Sequence, residues 1–495
     1  SVPINLRCVS ARTFSRFRYH STVKVHVFLL ILALVGLPVS AQDLPDLGDS
    51  SQSTLSPLQE LRYGAAVMRQ IRGSSAYLAD PEVSDYIGRI GYGLVANSPD
   101  PGGHFEFFVI NDKAINAFAL PGGFIGVHSG LILAAQSESE MVGVVGHEIA
   151  HVTQRHIARM MAAQKKTGLA SLAALAVALL AAQSSPELAQ AAILASQAVP
   201  LQSALSFSRD HEREADRIGL QIVEKSNYDV HAIPVFFERL QRASRLYEGG
   251  APSYLRTHPL TFERIADIQS RTEDQPYRQI PDSLDFHLVR ARLVALDGPA
   301  DEAVPIFRTR IEERKTNSEV ASRYGLVVAM LRKDELTNAD LEAAREQVAR
   351  MNVQAPDHPM IIAIAAQFEI RSGNIQSGLE TYRRGLALFP TRKALVYGYS
   401  EALMKTGQAA TAATFLDRSI AAVENDPRLY EMKAEAHAKL GQRLPQHRSL
   451  AEASLLRGNL SAAIEQLRLA QLSPDGDFYE RSSVDARLRE LMKYD

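Results

Sequence analysis

The five residues His147-Glu148-Ile149-Ala150-His151 decide how this sequence is interpreted. They lie in the segment 138–161, whose apolar residues recur at helical spacing. Because residues four apart share one face of a helix, His147 and His151 can direct imidazole nitrogens at one metal ion. Glu148 lies beside them and is placed to act as a general base. The pattern therefore predicts a metal site on a helix.

Zinc is the metal that this pattern favours. Zn²⁺ binds histidine and carboxylate ligands, and it lowers the pKa of a bound water so that Glu148 can take its proton as the water attacks a carbonyl. The alternative is a surface helix with incidental histidines, but the motif follows Gly143, Val145 and Gly146. Unpaired imidazoles and a carboxylate on a buried helix would be costly, and a metal removes that cost. We therefore expect one Zn²⁺ per chain.

The third ligand must come from another segment, because a catalytic zinc usually has three protein ligands and one open position. Segment 208–219 reads SRDHEREADRIG. Glu212 and Asp216 are four apart, so one can bind zinc while the other accepts the second ring N–H of a ligand histidine. Glu214 points about 200° around the helix from Glu212 and is a weaker choice. A solvated charged helix is the alternative, and residue chemistry alone leaves both open.

Three motifs carry a resemblance to a known family: NAFALPGG at 116–123, HEIAH at 147–151 and EREAD at 212–216. The chain resembles the gluzincin metallopeptidases of the HtpX and CAAX-prenyl-protease type. The resemblance implies a zincin-type α+β metalloprotease domain over residues 58–272, with Glu148 as the catalytic base. It also implies that Glu212 is the third zinc ligand and that Asp216 supports a ligand histidine from behind.

A later loop resembles one found in a periplasmic subgroup of that family. The loop is Leu255-Arg256-Thr257-His258-Pro259-Leu260. In the subgroup the matching histidine can occupy the open zinc position and hold the enzyme latent, which implies that His258 is a fourth ligand or latch. Arg264 matches an arginine placed near that site. The alternative is an ordinary turn before the next helix.

A small β-sheet is expected beside the helices. Residues 105–110 and 124–128 are apolar and β-branched or aromatic, which favours two strands, with 116–123 as a turn between extended pieces. We expect the second strand to be an edge strand to which a substrate peptide adds in extended form. The residues of this predicted substrate strand are Phe124, Ile125, Gly126 and Val127.

The N-terminal residues predict export. Residues 1–41 contain basic residues and no acidic one, with an apolar run at 25–37 and a small-residue site ending at Ala41. That order is typical of a cleavable signal peptide; an uncleaved N-terminal anchor is the alternative, for which the run is short. The polar stretch 42–57 is predicted to be a flexible lead-in. Because the single cysteine, Cys8, lies in the signal, we expect neither a disulfide nor a thiolate metal site.

One further apolar stretch lies after the HEIAH motif. Residues 169–182 form a run that is too short to span a membrane. We expect a buried alanine-rich helix there. The alternative is a hairpin that contacts substrate or makes peripheral contact with a membrane.

A second domain is predicted after a linker at 273–284. Gly373, Gly407 and Gly441 are 34 residues apart, in a region that is almost wholly helical. This is the period of tetratricopeptide repeats, so residues 285–495 are predicted to form an α-solenoid. A generic helical bundle is the alternative, but it has no such glycine period. Stacked helix pairs give a concave surface that binds protein segments.

Composition and motifs together favour one function over an alternative. The 495 residues include 54 basic and 56 acidic ones, so no basic face for nucleic acid is expected. We expect a mostly α protein with a zinc endopeptidase site, and the resemblance implies that it works in the periplasm and has a chaperone-like role as well. The resemblance implies that its partners are unfolded or misassembled proteins, above all outer-membrane β-barrels and their assembly machinery. The alternative is a protein-binding chaperone or scaffold with a latent or structural zinc site.

Overall fold

The structure, a computed structural model, describes residues 55–163, 208–246, 253–277, 279–423 and 425–493. The predicted signal at 1–41 and the apolar segment 169–182 lie outside these residues. So does the predicted lead-in, apart from residues 55–57. None of the helices within the described ranges is long and apolar enough to cross a membrane.

The first part of the chain combines helices with one small sheet. Its elements are α1 (Pro57–Arg72), α2 (Pro81–Val95), β1 (Glu106–Ile110), β2 (Ala117–Leu120), β3 (Phe124–His128), α3 (Ser129–Ala134), α4 (Glu138–Thr153), α5 (His156–Ala163), α6 (Arg209–Lys225), α7 (Ala232–Leu246), α8 (Ser253–Thr257) and α9 (Phe262–Glu273). Helix α1 begins at Pro57, the last residue of the predicted lead-in. It begins there because the Ser56 hydroxyl accepts a hydrogen bond from the Gln59 amide and the Gln59 side-chain oxygen accepts one from the Ser56 amide, which forms a capping box.

The sheet corrects one prediction. Its strand order is β1-β3-β2, with β1 parallel and β2 antiparallel to β3. Phe124–Val127 is therefore the central strand, and the expectation that it is an edge strand is wrong. Both of its sides already pair with neighbours, and every residue of β3 is buried. An uninterrupted apolar run is typical of such a strand, whereas an edge strand usually carries polar residues.

The predicted turn at 116–123 is a strand followed by a tight reversal. Leu120 pairs with Phe124, so Pro121, Gly122 and Gly123 make the whole connection between β2 and β3. Gly123 has a φ of 85°, and a Cβ there would lie 1.7 Å from the His104 carbonyl oxygen. Only glycine fits this position, which explains the double glycine in NAFALPGG.

The HEIAH helix crosses the EREAD helix at very short range. All residues of α4 from Glu138 to His151 are buried, and α6 packs along it. At the crossing, Gly146 on α4 faces Gly219 on α6. A Cβ on Gly219 would lie 3.0 Å from the Cα and the backbone nitrogen of His147. The absence of two side chains thus lets α6 bring its carboxylates to the histidines of α4.

The second part of the chain is a succession of antiparallel helix pairs. Its helices are α10 (Leu284–Leu296), α11 (Ala300–Glu312), α12 (Glu319–Leu331), α13 (Asn338–Gln354), α14 (Pro359–Arg371), α15 (Ile375–Leu388), α16 (Lys393–Lys405), α17 (Ala409–Ala422), α18 (Pro427–Lys439), α19 (Arg443–Leu456), α20 (Leu460–Gln471) and α21 (Phe478–Leu491). Gly373, Gly407 and Gly441 lie in the turns inside three pairs, each with φ between 72° and 87°. Their 34-residue period therefore marks left-handed helix ends. The predicted fold class, a small-sheet α+β domain followed by an α-solenoid, is confirmed.

The solenoid and the first domain share apolar packing. One core cluster runs from Val83 on α2, through α4 and α6, into Phe368 on α14. Buried ion pairs support the contact: Arg292 on α10 binds Asp80 at 2.7 Å. The backbone amide of Lys393, the first residue of α16, donates to Asp85. The linker at 273–284 therefore joins two parts that also touch directly.

The glycine crossing gives a stability prediction. Gly219→Ala is expected to lower the free energy of unfolding by about 1–3 kcal/mol, because the new methyl group forces the backbones of α4 and α6 apart. Gly93→Ala is the matched control, since Gly93 is an exposed helical position where a Cβ meets nothing. That control should be neutral or stabilising by up to about 1 kcal/mol. Urea denaturation compares the two, and equal stability of both variants would contradict the tight crossing.

Candidate metal centre

Four side chains that are far apart in sequence meet in the interior. His147 and His151 come from α4, Glu212 from α6, and His258 from the turn after α8. One ligand atom from each lies within 4.8 Å of the others, and all four residues are buried. The predicted ligand candidates are therefore together.

The spacing of these atoms fits a tetrahedral metal. The Nε2 atoms of His147 and His151 are 3.0 Å apart, and the Glu212 oxygens lie 3.6 and 3.5 Å from them. Nδ1 of His258 lies 3.0 Å from Glu212 Oε1 and 3.4 Å from His147 Nε2. Four donors bound at about 2.0–2.2 Å in a tetrahedron are separated by about 3.4 Å. The nitrogen and oxygen donor set is also one that zinc prefers.

A carboxylate, Asp216, and an arginine, Arg264, contact residues of the cluster. Asp216 Oδ1 lies 3.0 Å from Nδ1 of His147, the ring nitrogen that faces away from the other donors. Arg264 donates from Nε and Nη2 to the two Asp216 oxygens at 2.7 Å each. Its Nη1 lies 2.5 Å from Glu212 Oε2. Asp216 and Arg264 therefore hold His147 and Glu212 in place, which is the type of support that ligand histidines usually have.

Burial and neighbouring charges act differently on the two histidines of α4. Burial lowers the pKa of His147, but hydrogen bonds to Asp216 and Glu212 outweigh it and raise that pKa to about 9. Burial and the positive charge of His147 both hold the pKa of His151 well below its usual value. Burial alone would raise the pKa of Glu212, yet His258, His147 and Arg264 lower it well below the usual range. Glu212 is therefore an anion, as a metal ligand must be.

Glu148 is at the cluster but is not part of the donor group. Its side chain is completely buried, and neither oxygen has a hydrogen-bond partner among the described residues. Nε2 of His258 lies 3.4 Å from Oε1. Burial raises the pKa of Glu148, while His258, His147 and the backbone amide of Ala119 oppose that rise. A buried carboxylate with a raised pKa is suited to accept a proton.

Tyr254 and the turn after α8 pack against the donor group. The His258 amide donates to the Tyr254 carbonyl, and the two rings stack with centroids 4.8 Å apart. Arg264 Nη1 donates to the carbonyl of Pro259 at 2.9 Å, which anchors the turn from its other side. Sequence reasoning missed Tyr254, because its place in the site follows from the stacking and not from a motif.

A second group that sequence reasoning missed lies behind His151. The Nδ1 atoms of His156 and His151 are 2.9 Å apart, and Nε2 of His156 lies 3.1 Å from Glu214 Oε2. Burial lowers the pKa of His156 to about 4 against the opposing effect of Glu214, so the ring is neutral. Its only sequence signal is a histidine five residues after the HEIAH motif ends. Glu214, the weaker ligand choice, is outside the donor group and contacts His156 instead.

The predicted substrate strand is not where it was expected. Phe124–Val127 lies in the middle of the sheet. The strand that neighbours Glu148 is β2, whose Ala119 amide is close enough to influence the Glu148 pKa. Among the described residues, no strand pairs with the outer side of β2.

Comparison with known proteins gives two family matches. Residues 81–272 match peptidase family M48, and residues 369–436 match a tetratricopeptide repeat. The first match runs from the start of α2 to the penultimate residue of α9, and so contains every residue of the cluster. The second contains two of the glycine turns of the solenoid.

Two similar proteins match nearly the whole chain, and a third matches part of it. The beta-barrel assembly-enhancing protease of Escherichia coli K12 is 30% identical over 453 residues, which cover 91% of this chain and 92% of that protein. A Vibrio cholerae protein described in the same terms is 34% identical over 469 residues, with 94% and 96% covered. The mitochondrial metalloendopeptidase OMA1 of Schizosaccharomyces pombe is 32% identical over 184 residues, with 37% and 51% covered.

The support behind His147 gives a metal-binding prediction. Asp216→Asn is expected to weaken Zn²⁺ binding by about 10–100-fold, because the amide no longer pairs ionically with Arg264 and holds His147 less firmly. Asp267→Asn removes the same charge from an exposed pair with Arg271 and serves as the control. Competition with a chromophoric chelator measures both affinities. Equal affinities for the two variants and wild type would show that Asp216 does not support a ligand.

Proposed function

This chain belongs to peptidase family M48, its full-length relatives are beta-barrel assembly-enhancing proteases, and on this premise we propose that it is an exported zinc endopeptidase in the quality control of outer-membrane β-barrel assembly. Membership of the family makes the chain a metalloendopeptidase. The observation that carries the finer proposal is the buried group of His147, His151, Glu212 and His258, with Glu148 beside it.

We assign the metal site to three ligands and one regulatory histidine. His147, His151 and Glu212 hold zinc, since they share the tetrahedral spacing and each is fixed by an element of the core. When bound, zinc polarises the peptide carbonyl and lowers the pKa of the attacking water. A carboxylate third ligand supports a catalytic rather than a structural role, because structural zinc sites typically use cysteine and histidine.

Glu148 is the general base of the proposed reaction. Its carboxylate accepts a proton from the attacking water as the peptide carbonyl is attacked, and then delivers a proton to the leaving amine. Burial favours this role, because the raised pKa brings the carboxylate closer to the operating pH. The Ala119 amide restrains the pKa from rising further.

We place the substrate on β2 rather than β3. The outer side of β2 has no partner strand among the described residues, and β2 lies next to Glu148. A peptide added there in extended form makes main-chain hydrogen bonds with Ala117–Leu120. Such bonds do not depend on side chains, which suits an enzyme that degrades many misassembled proteins.

His258 acts as a latch in the proposed mechanism. Its Nδ1 completes the fourth corner of the donor group, and its Nε2 faces Glu148. Both places are needed by the substrate carbonyl and the water, so the turn that carries His258 must move before catalysis. Arg264 holds that turn through Pro259 and therefore stabilises the closed state.

The repeats and the export signal complete the proposal. The concave face of a helical solenoid suits the binding of protein segments, so we assign recruitment of substrate or of assembly machinery to α10–α21. The basic-apolar-small order of residues 1–41 supports export to the periplasm. Outer-membrane β-barrels are the proposed substrate class, because the relatives of this chain are named for β-barrel assembly.

A second function is favoured by the closed fourth corner. With His258 in place, the chain binds partners through its repeats without cutting them, as a chaperone or scaffold with a latent zinc site. The two functions differ in whether Glu148 is needed.

Replacing Glu148 separates these functions. Glu148→Gln is expected to lower casein cleavage by about 10²–10⁴-fold, because the amide cannot accept the proton. Its zinc content should equal that of wild type, since Glu148 is outside the donor group. Glu224→Gln, at an exposed position on α6, is the control and should cleave normally.

The same variant is then tested with a stalled β-barrel. If the barrel is degraded by wild type and persists with Glu148→Gln, proteolysis is the function. If the variant promotes assembly as well as wild type does, the binding function is independent of the base. Cleavage of both substrates by Glu148→Gln at the wild-type rate would remove the protease mechanism.

Replacing His258 tests the latch. His258→Ala is expected to raise casein cleavage, by about tenfold for each 1.4 kcal/mol by which the closed state is favoured, because the fourth corner is left open. His104→Ala, an exposed histidine on the loop before β1, should leave cleavage unchanged. Initial rates at equal zinc content measure the effect. Unchanged or reduced cleavage by His258→Ala would argue against the latch.

A further inference from the structure

His156 is a buried histidine that the proposed reaction does not use. Its side chain is completely buried, and both ring nitrogens have partners: His151 Nδ1 at 2.9 Å and Glu214 Oε2 at 3.1 Å. Glu214 also accepts from Arg159 Nη1 at 2.9 Å, and its side chain is 27% exposed. A chain of polar contacts thus runs from His151 to the protein surface.

The contacts along this chain are consistent with one placement of protons. Nε2 of His151 faces His147 and Glu212, so it is the nitrogen that a metal would use. A neutral imidazole carries one proton, which then sits on Nδ1 of His151 and is donated to Nδ1 of His156. The proton of His156 is left on Nε2 and is donated to Glu214. Each nitrogen is satisfied only with this pair of tautomers.

The backbone conformation between α4 and α5 determines where His156 lies. Helix α4 ends at Thr153, and Arg155 adopts a φ of 51°, in the left-handed region that a non-glycine residue rarely occupies. The strained turn is held by the Arg155 side chain, which donates to the Leu55 carbonyl at 2.7 Å and to Glu60 at 2.5 Å. Helix α5 then begins at His156. Strained backbone conformations that the surrounding structure stabilises are often found at functional sites.

We propose that His156 is a positioning residue that fixes the orientation and tautomer of the metal ligand His151, and that Glu214 fixes His156 in turn. The proposal rests on the metal-binding role proposed above for His151. It gives each histidine of α4 a carboxylate that restrains its ring. Asp216 contacts His147 directly, whereas Glu214 acts on His151 through His156. Helix α6 then supplies the third ligand and both supports.

Ring packing restrains His156 further. The imidazoles of His156 and His211 stack, with centroids 4.5 Å apart and an angle of 19° between the planes. The rings of His156 and His151 are nearly perpendicular, at 75°. This arrangement points the edge of one ring at the edge nitrogen of the other, which is what a hydrogen bond between them requires.

The test compares two replacements of His156 by their affinity for Zn²⁺. His156→Leu removes both nitrogens and is expected to weaken binding by about 10–100-fold. His156→Asn keeps an acceptor oxygen where Nδ1 was, and is expected to bind within about fivefold of wild type. Glu214→Ala should weaken binding by about 3–10-fold, because His156 loses its acceptor. Glu224→Ala on the same helix is the unchanged control.

Affinity is measured on the metal-free proteins by chelator competition, beside their melting temperatures. Wild-type affinity in His156→Leu, or equal losses in the Leu and Asn variants, overturns the proposal, because a merely structural histidine does not distinguish an acceptor from a methyl group. If His156→Leu fails to fold, Glu214→Ala decides, and unchanged affinity there also overturns it.

Failure of the underlying metal site has a different signature. His151→Ala must lose stoichiometric Zn²⁺ if His151 is a ligand. If it retains Zn²⁺, the proposed ligand set is wrong and the positioning role falls with it. If wild type and His151→Ala behave as expected while His156→Leu binds normally, only the positioning role is wrong.

Discussion

The short distance between α4 and α6 is the constraint on which the rest of the site depends. Gly146 and Gly219 face each other at the crossing, and the backbone of His147 lies where a Cβ of Gly219 would be. At this separation a carboxylate on α6 reaches the nitrogens of both histidines on α4. A wider crossing would leave Glu212 short of the donor group and Asp216 short of the His147 ring. Two missing side chains in the core thus allow the donor atoms of other residues to come together.

The second constraint is that the charges buried beside this crossing must balance. Arg264 binds both oxygens of Asp216, contacts Glu212 and donates to the Pro259 carbonyl. Burying these groups separately would cost several kcal/mol per ion, so the network is stable only when it is complete. The same guanidinium therefore contacts Asp216, Glu212 and the turn that carries His258. The movement of that turn in the proposed latch would break one hydrogen bond of Arg264, which also holds the proposed ligand Glu212.

Local patterns predicted the parts of the fold that depend on local spacing. The HEIAH helix follows from apolar periodicity, and the solenoid follows from glycines whose 34-residue period marks left-handed helix ends. The position of β3 did not follow, because β1 and β2 are neighbours in the chain but pair with opposite sides of β3, and no local pattern encodes that order. His156 was missed for a similar reason. Its contact with His151 depends on the left-handed conformation of Arg155, which no sequence pattern predicts. Assigning Glu212 as a ligand candidate over a solvent-exposed residue required the family resemblance, because its charged segment is equally typical of a solvated helix.

The shared core of the two parts bears on how recruitment and cleavage are related. Helix α2 packs beneath the sheet and also carries Asp85, which accepts from the first amide of α16, while Asp80, just before α2, binds Arg292 on α10. The apolar residues of α2 belong to the same core cluster as those of α4 and α6. Packed interiors transmit displacements because they contain few voids. The proposed partner surface on the repeats and the proposed peptide site on β2 therefore belong to one packed body.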